Sequence, residues 1–312
     1  MITNRLDGRK INLPDFFVAG APRSGTTSLY QYMYFHPQIM LSSPKEPRFF
    51  ILYGLSKEEM FFQSEAIIKN SVFDINRYSR LFKKGEGRIC GDMTVTHMKH
   101  YDKFIKNVKK LYTGAKRPKI IIALRNPIEA AFSFYNYLYN NGTIKEKNFL
   151  DHMEKCKEEF DSDSPDRLWV SSFFHTYDYP KQLKAILSEF DDVYIYLLDD
   201  LKSDSEKVMR ELYGFLGVDF IASKDLGEVY NKSGRGKKSW ALSAEADVIK
   251  TVIAKIIPEA TGRRLFRKIR HGSINEAIMT EEEKGFLKEN FENVIIKTGE
   301  ILGRDLSHWL DI

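Results

Sequence analysis

Short, continuous apolar runs alternate along the chain with longer stretches in which apolar residues recur at helical spacing. The runs are rich in β-branched and aromatic residues and fall at 16–19, 88–90, 120–124 and 193–198. They predict strands covered on both faces, because such strands need not alternate polar and apolar residues. The helical patterns lie at 27–35, 101–112, 127–139, 168–190 and 205–216. This alternation predicts an α/β domain with a central parallel sheet flanked by helices.

The pattern changes after Asp219, where a polar stretch at 231–238 precedes helical spacing at 242–257 and 281–302. No clear linker separates these segments from the rest of the chain. We therefore expect a single domain over residues 1–312. Its predicted parts are a core over about 14–220, a loop at 231–238 and a helical C-terminal extension at 239–312.

The composition is that of a folded protein with a large core. The chain has 312 residues, of which 43% are hydrophobic and 29% charged, and this excludes wholesale disorder. The formal net charge of +5 is mild. It suits a small anionic ligand better than a nucleic acid, so we expect no nucleic-acid partner.

The chain also lacks the sequence features of a secreted or membrane-spanning protein. Cys90 and Cys156 are too few for a disulfide framework, and no Cys/His cluster has zinc-ligand spacing. The first residues contain no signal-peptide core, and nowhere do 18 apolar residues run together. We therefore expect a cytoplasmic protein without a metal site.

The most informative segment runs from the first predicted strand directly into a helix that begins near Thr26. Backbone N–H groups and the positive end of a helix dipole bind phosphate in such a unit. Gly25 lets the backbone approach the anion, and Arg23 adds charge-assisted hydrogen bonds. The predicted contacts are Arg23, Ser24, Gly25, Thr26, Thr27 and Ser28. The alternative is a tight turn that binds nothing.

A nucleotide-triphosphate loop of the Walker type has Lys directly after its last glycine, where this chain has Thr26. Without that lysine, which bridges the β- and γ-phosphates, ATP hydrolysis or kinase activity is disfavoured. A P-loop kinase or a nucleotide-binding regulatory protein is nevertheless the alternative from a different functional class.

A second candidate anion site follows the strand at 120–124. Arg125 ends that strand, Pro127 starts a helix, and Ser133 lies eight residues after the arginine. Open α/β sheets bind ligands at the carboxyl ends of their strands, which is where Arg125 is expected. The alternative is that Arg125 pairs with a surface carboxylate.

These motifs resemble those of sulfotransferases that use 3′-phosphoadenosine-5′-phosphosulfate. Residues 21–29 resemble the family's 5′-phosphosulfate loop, and Arg125 with Ser133 resembles its 3′-phosphate motif. The similarity covers nearly the whole chain and is strongest at 17–50 and 119–139. It implies this donor, a hydroxyl-bearing acceptor and direct in-line transfer without a metal. It further implies that Arg235, Gly236 and Lys237 belong to a loop that closes over the nucleotide.

The resemblance also supplies candidates for catalysis. Glu46 lies in a proline-bounded loop, and Phe49-Phe50 begins three residues later, as in the family's carbohydrate-modifying branch. Glu46 is therefore the candidate base, a carbohydrate or glycoconjugate is the expected acceptor, and Arg23 is expected to neutralise the leaving phosphate. His97 is the rival base. A solvated loop glutamate and a structural histidine are the alternatives.

Two further segments leave questions open. Met93 stands where many family members have a lysine near the sulfuryl group, so the second catalytic cation is not identified. Residues 262–271 form a basic stretch with interleaved apolar residues, which fits peripheral contact with a membrane or, alternatively, a solvated helix face.

Overall fold

A central parallel sheet organises the computed structural model, which describes residues 2–6, 8–56, 71–114, 116–162, 172–222 and 277–312. An antiparallel hairpin of β1 (Ile2–Leu6) and β2 (Arg9–Leu13) precedes it. The sheet strands are β3 (Phe16–Gly20), β4 (Ile39–Leu41), β5 (Ile89–Asp92), β6 (Lys119–Leu124) and β7 (Val193–Leu197). Their spatial order is β4-β5-β3-β6-β7, and each neighbouring pair is parallel.

Helices cover both faces of this sheet. The α-helices in the described part of the chain are α1 (Thr26–Tyr34), α2 (Phe49–Leu52), α3 (Ile75–Arg80), α4 (Tyr101–Leu111), α5 (Pro127–Asn140), α6 (Phe149–Asp161), α7 (Phe173–Thr176), α8 (Tyr179–Leu187), α9 (Leu198–Ser203), α10 (Ser205–Leu216) and α11 (Glu281–Leu302). A 3₁₀ helix at Ser307–Leu310 follows α11.

Each face of β3 belongs to a different hydrophobic core. Phe16 and Val18 pack in the cluster formed with α1 and α10, whereas Phe17 and Ala19 pack in the cluster formed with α4, α5 and α8. All five residues of β3 are buried. The sequence prediction of an α/β domain with strands covered on both sides is confirmed.

One predicted helix is wrong in its extent. Over 168–190 the described residues form two separate helices, α7 and α8, rather than one. Pro180 lies in the first turn of α8, where its missing N–H costs nothing, but the same ring would disrupt a continuous helix. The predicted strand at 193–198 ends at Leu197, because Leu198 begins α9.

Several predictions concern residues outside the described ranges. These are the loop at 231–238, the helix at 242–257 and the basic stretch at 262–271. The predicted helix at 281–302 is confirmed, with Thr280 as its N-cap in a reciprocal capping box with Glu283. Cys90 and Cys156 are both buried, and they are not joined in a disulfide. In the ranges described above, no helix is long and apolar enough to cross a bilayer.

Candidate active site

The loop between β3 and α1, residues 21–25, is called the phosphate loop below. Gly25 caps α1 in the left-handed conformation, with φ of 77°. A Cβ built on Gly25 would lie 2.6 Å from Leu198 Cδ1, so a side chain here would strain the backbone and displace Leu198. Ser24 is fully buried, and its Oγ lies close enough to the Tyr179 hydroxyl to interact with it but makes no hydrogen bond of ordinary geometry to a described residue. A buried hydroxyl with unused hydrogen-bonding capacity next to a helix N-terminus fits an anion site.

Arg23 joins the phosphate loop to α5. Its Nε donates to Ser133 Oγ at 2.9 Å, and its guanidinium carbon lies 5.1 Å from the centre of the Tyr137 ring. Burial lowers the pKa of Arg23, and the neighbouring Arg125 lowers it further. The structure thus brings together two predicted site residues that are 110 positions apart in the sequence.

Arg125 begins the segment 125–126 between β6 and α5, which is called the Arg125 loop below. Its Nε and Nη2 donate to Glu129 Oε2 at 3.0 and 2.8 Å, and its Nη1 donates to the Arg23 carbonyl at 3.3 Å. Arg125 is therefore paired with a carboxylate, as the alternative interpretation expected, while it also contacts the phosphate loop. The side chains of Arg125 and Glu129 are 20% and 36% exposed. An ion pair of this exposure contributes on the order of 1 kcal/mol or less to stability, so an incoming phosphate can compete with Glu129 for the Arg125 guanidinium.

Lys45 is a site residue that the sequence reasoning missed. Its Nζ donates to Thr27 Oγ1 at 3.1 Å, at the start of α1. Burial lowers the pKa of Lys45, Glu46 opposes that shift, and Arg23 adds to it. Lys45 therefore places a second positive charge beside the phosphate loop. The signal that could have identified it is its position directly before the candidate base.

Glu46 is held by an arginine two residues later. Arg48 Nη2 donates to Glu46 Oε2 at 2.8 Å, and the Glu46 side chain is 24% exposed. Phe49 and Phe50 follow and are fully buried, so they anchor this loop in the core. Glu46 is therefore fixed in position by an ion pair and still reaches solvent.

A buried carboxylate, Asp92, holds the segment that carries Glu46 and Arg48 in place through hydrogen bonds. Asp92, at the end of β5, accepts hydrogen bonds from the Tyr78 hydroxyl at 2.6 Å and the Thr94 hydroxyl at 2.7 Å. Thr94 Oγ1 in turn accepts from the backbone N–H of Arg48 at 3.2 Å. Burial raises the pKa of Asp92 to about 6, although both hydroxyl donors act in the opposite direction. Asp92 thus orients Thr94 and, through it, the segment that carries Glu46.

His97 lies in the aromatic core. Its ring stacks on Phe104 at 4.5 Å and meets the edge of Phe17 at 5.4 Å. It is fully buried, and neither ring nitrogen has a hydrogen-bond partner among the residues described. Burial lowers the pKa of His97 to about 3. Met93 is likewise fully buried in the core.

Arg235, Gly236 and Lys237 lie outside the described residues. In the described part of the chain, no group of three or more His, Cys, Asp or Glu residues is arranged to hold a metal ion.

Fold and site together define an α/β protein with a P-loop-like strand–loop–helix at the carboxyl edge of a parallel sheet. The family model of the sulfotransferase domain matches residues 13–299, so the chain belongs to the sulfotransferase family. The fold is similar to that of a sulfotransferase from Alicyclobacillus acidocaldarius, with a TM-score of 0.66 and 20% identity. That match covers 96% of this chain and 99% of the other.

A curated relative is the membrane-associated sulfotransferase kil1 of Dictyostelium discoideum. It is 28% identical to this chain over 132 residues. The aligned region covers 42% of this chain and 24% of that relative, so the match spans about a quarter of the relative's length.

Proposed function

We propose that this protein transfers a sulfuryl group from 3′-phosphoadenosine-5′-phosphosulfate to a hydroxyl group of an acceptor. The observation that carries the proposal is the phosphate loop, where the buried Ser24 hydroxyl and the left-handed Gly25 adjoin the start of α1. Family membership supports the reaction type. Because Arg23 and Lys45 flank the same loop, the site carries the positive charge that a phosphosulfate requires.

The two anionic ends of the donor are assigned to different groups. The 5′-phosphosulfate is assigned to Arg23 and to the residues that follow it in the phosphate loop and the first turn of α1: Ser24, Gly25, Thr26, Thr27 and Ser28. The 3′-phosphate is assigned to Arg125 and Ser133. Support comes from the Arg125 hydrogen bond to the Arg23 carbonyl, which keeps the two groups adjacent. Arg235, Gly236 and Lys237 remain the proposed contacts of a closing loop.

Glu46 is the proposed base, and transfer is in line. The acceptor oxygen forms a bond to sulfur while the bond from sulfur to the bridging phosphate oxygen breaks. The acceptor proton passes to Glu46, and the electron pair leaves with adenosine 3′,5′-bisphosphate. Arg23 stabilises the charge that develops on that phosphate. We prefer Glu46 to His97 because His97 is enclosed by Phe17 and Phe104.

The proposed acceptor is a carbohydrate or glycoconjugate. This assignment depends on the family resemblance of Glu46 followed by Phe49-Phe50. The burial of both phenylalanines gives that spacing a physical role, since they fix the loop that presents the glutamate.

Nucleotide binding separates this function from the kinase alternative. Adenosine 3′,5′-bisphosphate is expected to raise the melting temperature, whereas ATP with magnesium should change it little. Incubation with sulfur-labelled donor and a panel of glycans and simple phenols would then identify the acceptor class. If ATP with magnesium raises the melting temperature and adenosine 3′,5′-bisphosphate does not, the proposal is contradicted and a kinase or nucleotide-binding regulator is favoured.

Arg125→Ala is expected to weaken binding of adenosine 3′,5′-bisphosphate by about ten- to a hundredfold, because a hydrogen bond to a charged group is lost. Binding of adenosine 5′-phosphate should scarcely change, since it has no 3′-phosphate. Dissociation constants for both nucleotides test this. Arg210→Ala is a matched control, because Arg210 also forms a helical ion pair, with Glu206 at 2.7 Å. Equal weakening of both nucleotides would show that Arg125 supports the fold instead.

A further inference from the structure

We propose that residues 303–312, called the C-terminal brace, hold the phosphate loop and the Arg125 loop in their relative positions. Trp309 is the central positioning residue of this brace. The inference deepens the proposed function and depends on it for the identity of the ligand. The brace itself is argued from contacts that do not involve any ligand.

Two glycines, Gly299 within α11 and Gly303 directly after it, allow the chain to turn back at the end of this helix. Gly303 adopts the left-handed conformation with φ of 63° and ends the helix. A Cβ on Gly299 would lie 2.7 Å from the Arg304 carbonyl oxygen, so only glycine lets the returning backbone cross the helix here. Leu306 is buried beyond this crossing. The turn therefore has a fixed direction.

Trp309 contacts the Arg125 loop directly. Asn126 Nδ2 donates to the Trp309 carbonyl at 2.7 Å, and both residues are buried. The other end of the same amide, Asn126 Oδ1, accepts from the Ile128 N–H at 3.0 Å and so caps α5. One side chain thus links the C-terminal brace to the start of the helix that carries Ser133.

The brace also contacts α9. Trp309 Nε1 donates to Asp199 Oδ2 at 2.7 Å. Arg304 donates through both terminal nitrogens to the two oxygens of Asp200, at 2.6 and 2.8 Å. A paired, two-pronged contact of this kind fixes orientation as well as distance.

Helix α9 is in turn packed against the phosphate loop. Leu198, its first residue, approaches Gly25 so closely that a Cβ there would lie at 2.6 Å. Asp199 and Asp200 therefore project to the brace from the helix whose first residue abuts the glycine of the phosphate loop. The brace forms hydrogen bonds to the Arg125 loop at Asn126 and to α9 at Asp199 and Asp200. It therefore contacts the Arg125 loop directly and the phosphate loop through α9.

Trp309→Phe removes the indole N–H and keeps an aromatic ring, and it also leaves a small cavity because Trp309 is buried. We expect the dissociation constants of adenosine 3′,5′-bisphosphate and adenosine 5′-phosphate both to rise about three- to tenfold. Asp199→Ala should raise both dissociation constants to a similar extent. Asp199→Asn keeps an oxygen acceptor for the indole N–H, so its dissociation constants should stay close to those of the wild-type protein.

Hydrogen exchange supplies a readout that needs no ligand. In Trp309→Phe the amides at 20–28 and 125–128 should exchange faster, and those of α4 should not. Leu111→Ala is the control for a purely structural loss. Leu111 is buried at the end of α4, which precedes the amino end of β6, on the side of the sheet away from both loops. It should lower the melting temperature without changing either nucleotide affinity.

Unchanged affinity together with unchanged exchange in Trp309→Phe would overturn the brace. Equal changes in Trp309→Phe and Leu111→Ala would also overturn it, because they would reflect stability alone. If the unchanged protein binds no adenosine 3′,5′-bisphosphate, the proposed donor is wrong. Hydrogen exchange then decides the question of the brace by itself.

Discussion

Glu46→Gln is expected to lower turnover by about 10²–10⁴-fold, the usual contribution of a positioned base. The amide has the same shape as the carboxylate but cannot take up the proton from the hydroxyl group of the sulfuryl acceptor. Its carbonyl oxygen can still accept the hydrogen bond from Arg48 Nη2, which is 2.8 Å long in the unchanged protein. The loop should therefore keep its conformation, and affinity for adenosine 3′,5′-bisphosphate should stay within about twofold. Initial rates at saturating donor and direct nucleotide titration measure the two quantities.

Glu206→Gln is the matched control for this substitution. Glu206 also pairs with an arginine, Arg210, at 2.7 Å, but it lies on the exposed surface of α10. Its loss should leave turnover unchanged. Near-normal turnover of Glu46→Gln would remove Glu46 from the mechanism. His97 would then need a second conformation to act as base, since it is fully buried in this one.

The sheet could be predicted from the sequence because its longer strands are continuously apolar. β3 and β6 are buried on both faces, and burial of that kind leaves a local signal in the residues themselves. β4 has only three residues and leaves no comparable signal. The break between α7 and α8 depends on Pro180, whose place at a helix start or in a helix interior is decided by tertiary packing.

The strand–loop–helix arrangement around the phosphate loop could also be predicted, because a glycine between an apolar run and a helical pattern is a local feature of the sequence. The partners of its side chains could not. Arg23 and Ser133 meet only through the parallel pairing of β3 with β6, which brings the ends of both strands together. Lys45 reaches Thr27 because the chain folds back after β4, and nothing in the local sequence reports that distance.

His97 shows the limit of residue type as a guide to function. A histidine near the end of a strand is compatible both with catalysis and with the core. Phe104 lies near His97 in the sequence, whereas Phe17 lies far from it. Only the fold encloses the His97 ring between the two phenylalanines. The resulting desolvation lowers its pKa to about 3, so it is neutral at physiological pH.

Arg23→Ala is expected to lower turnover by about 10²–10³-fold, as removal of one group that stabilises transition-state charge commonly does. Donor affinity should fall less, because the charge on the bridging oxygen develops only as the bond to sulfur breaks. Since Lys45 remains beside the loop, the donor still meets a positive charge on binding. Turnover and the dissociation constant of adenosine 3′,5′-bisphosphate, measured on one preparation, separate these effects.

The backbone at Arg23 requires a second variant. Its φ is 65°, a conformation that alanine adopts only with strain and glycine adopts freely. Arg23→Gly therefore removes the guanidinium without that strain. If the guanidinium acts in the transition state, both variants should lose turnover to the same extent, although Arg23→Ala should melt at a lower temperature. Recovery of turnover in Arg23→Gly would assign the loss in Arg23→Ala to a backbone that leaves the left-handed conformation once the guanidinium contacts are gone. An unchanged turnover with weaker nucleotide binding in both variants would restrict Arg23 to holding the donor.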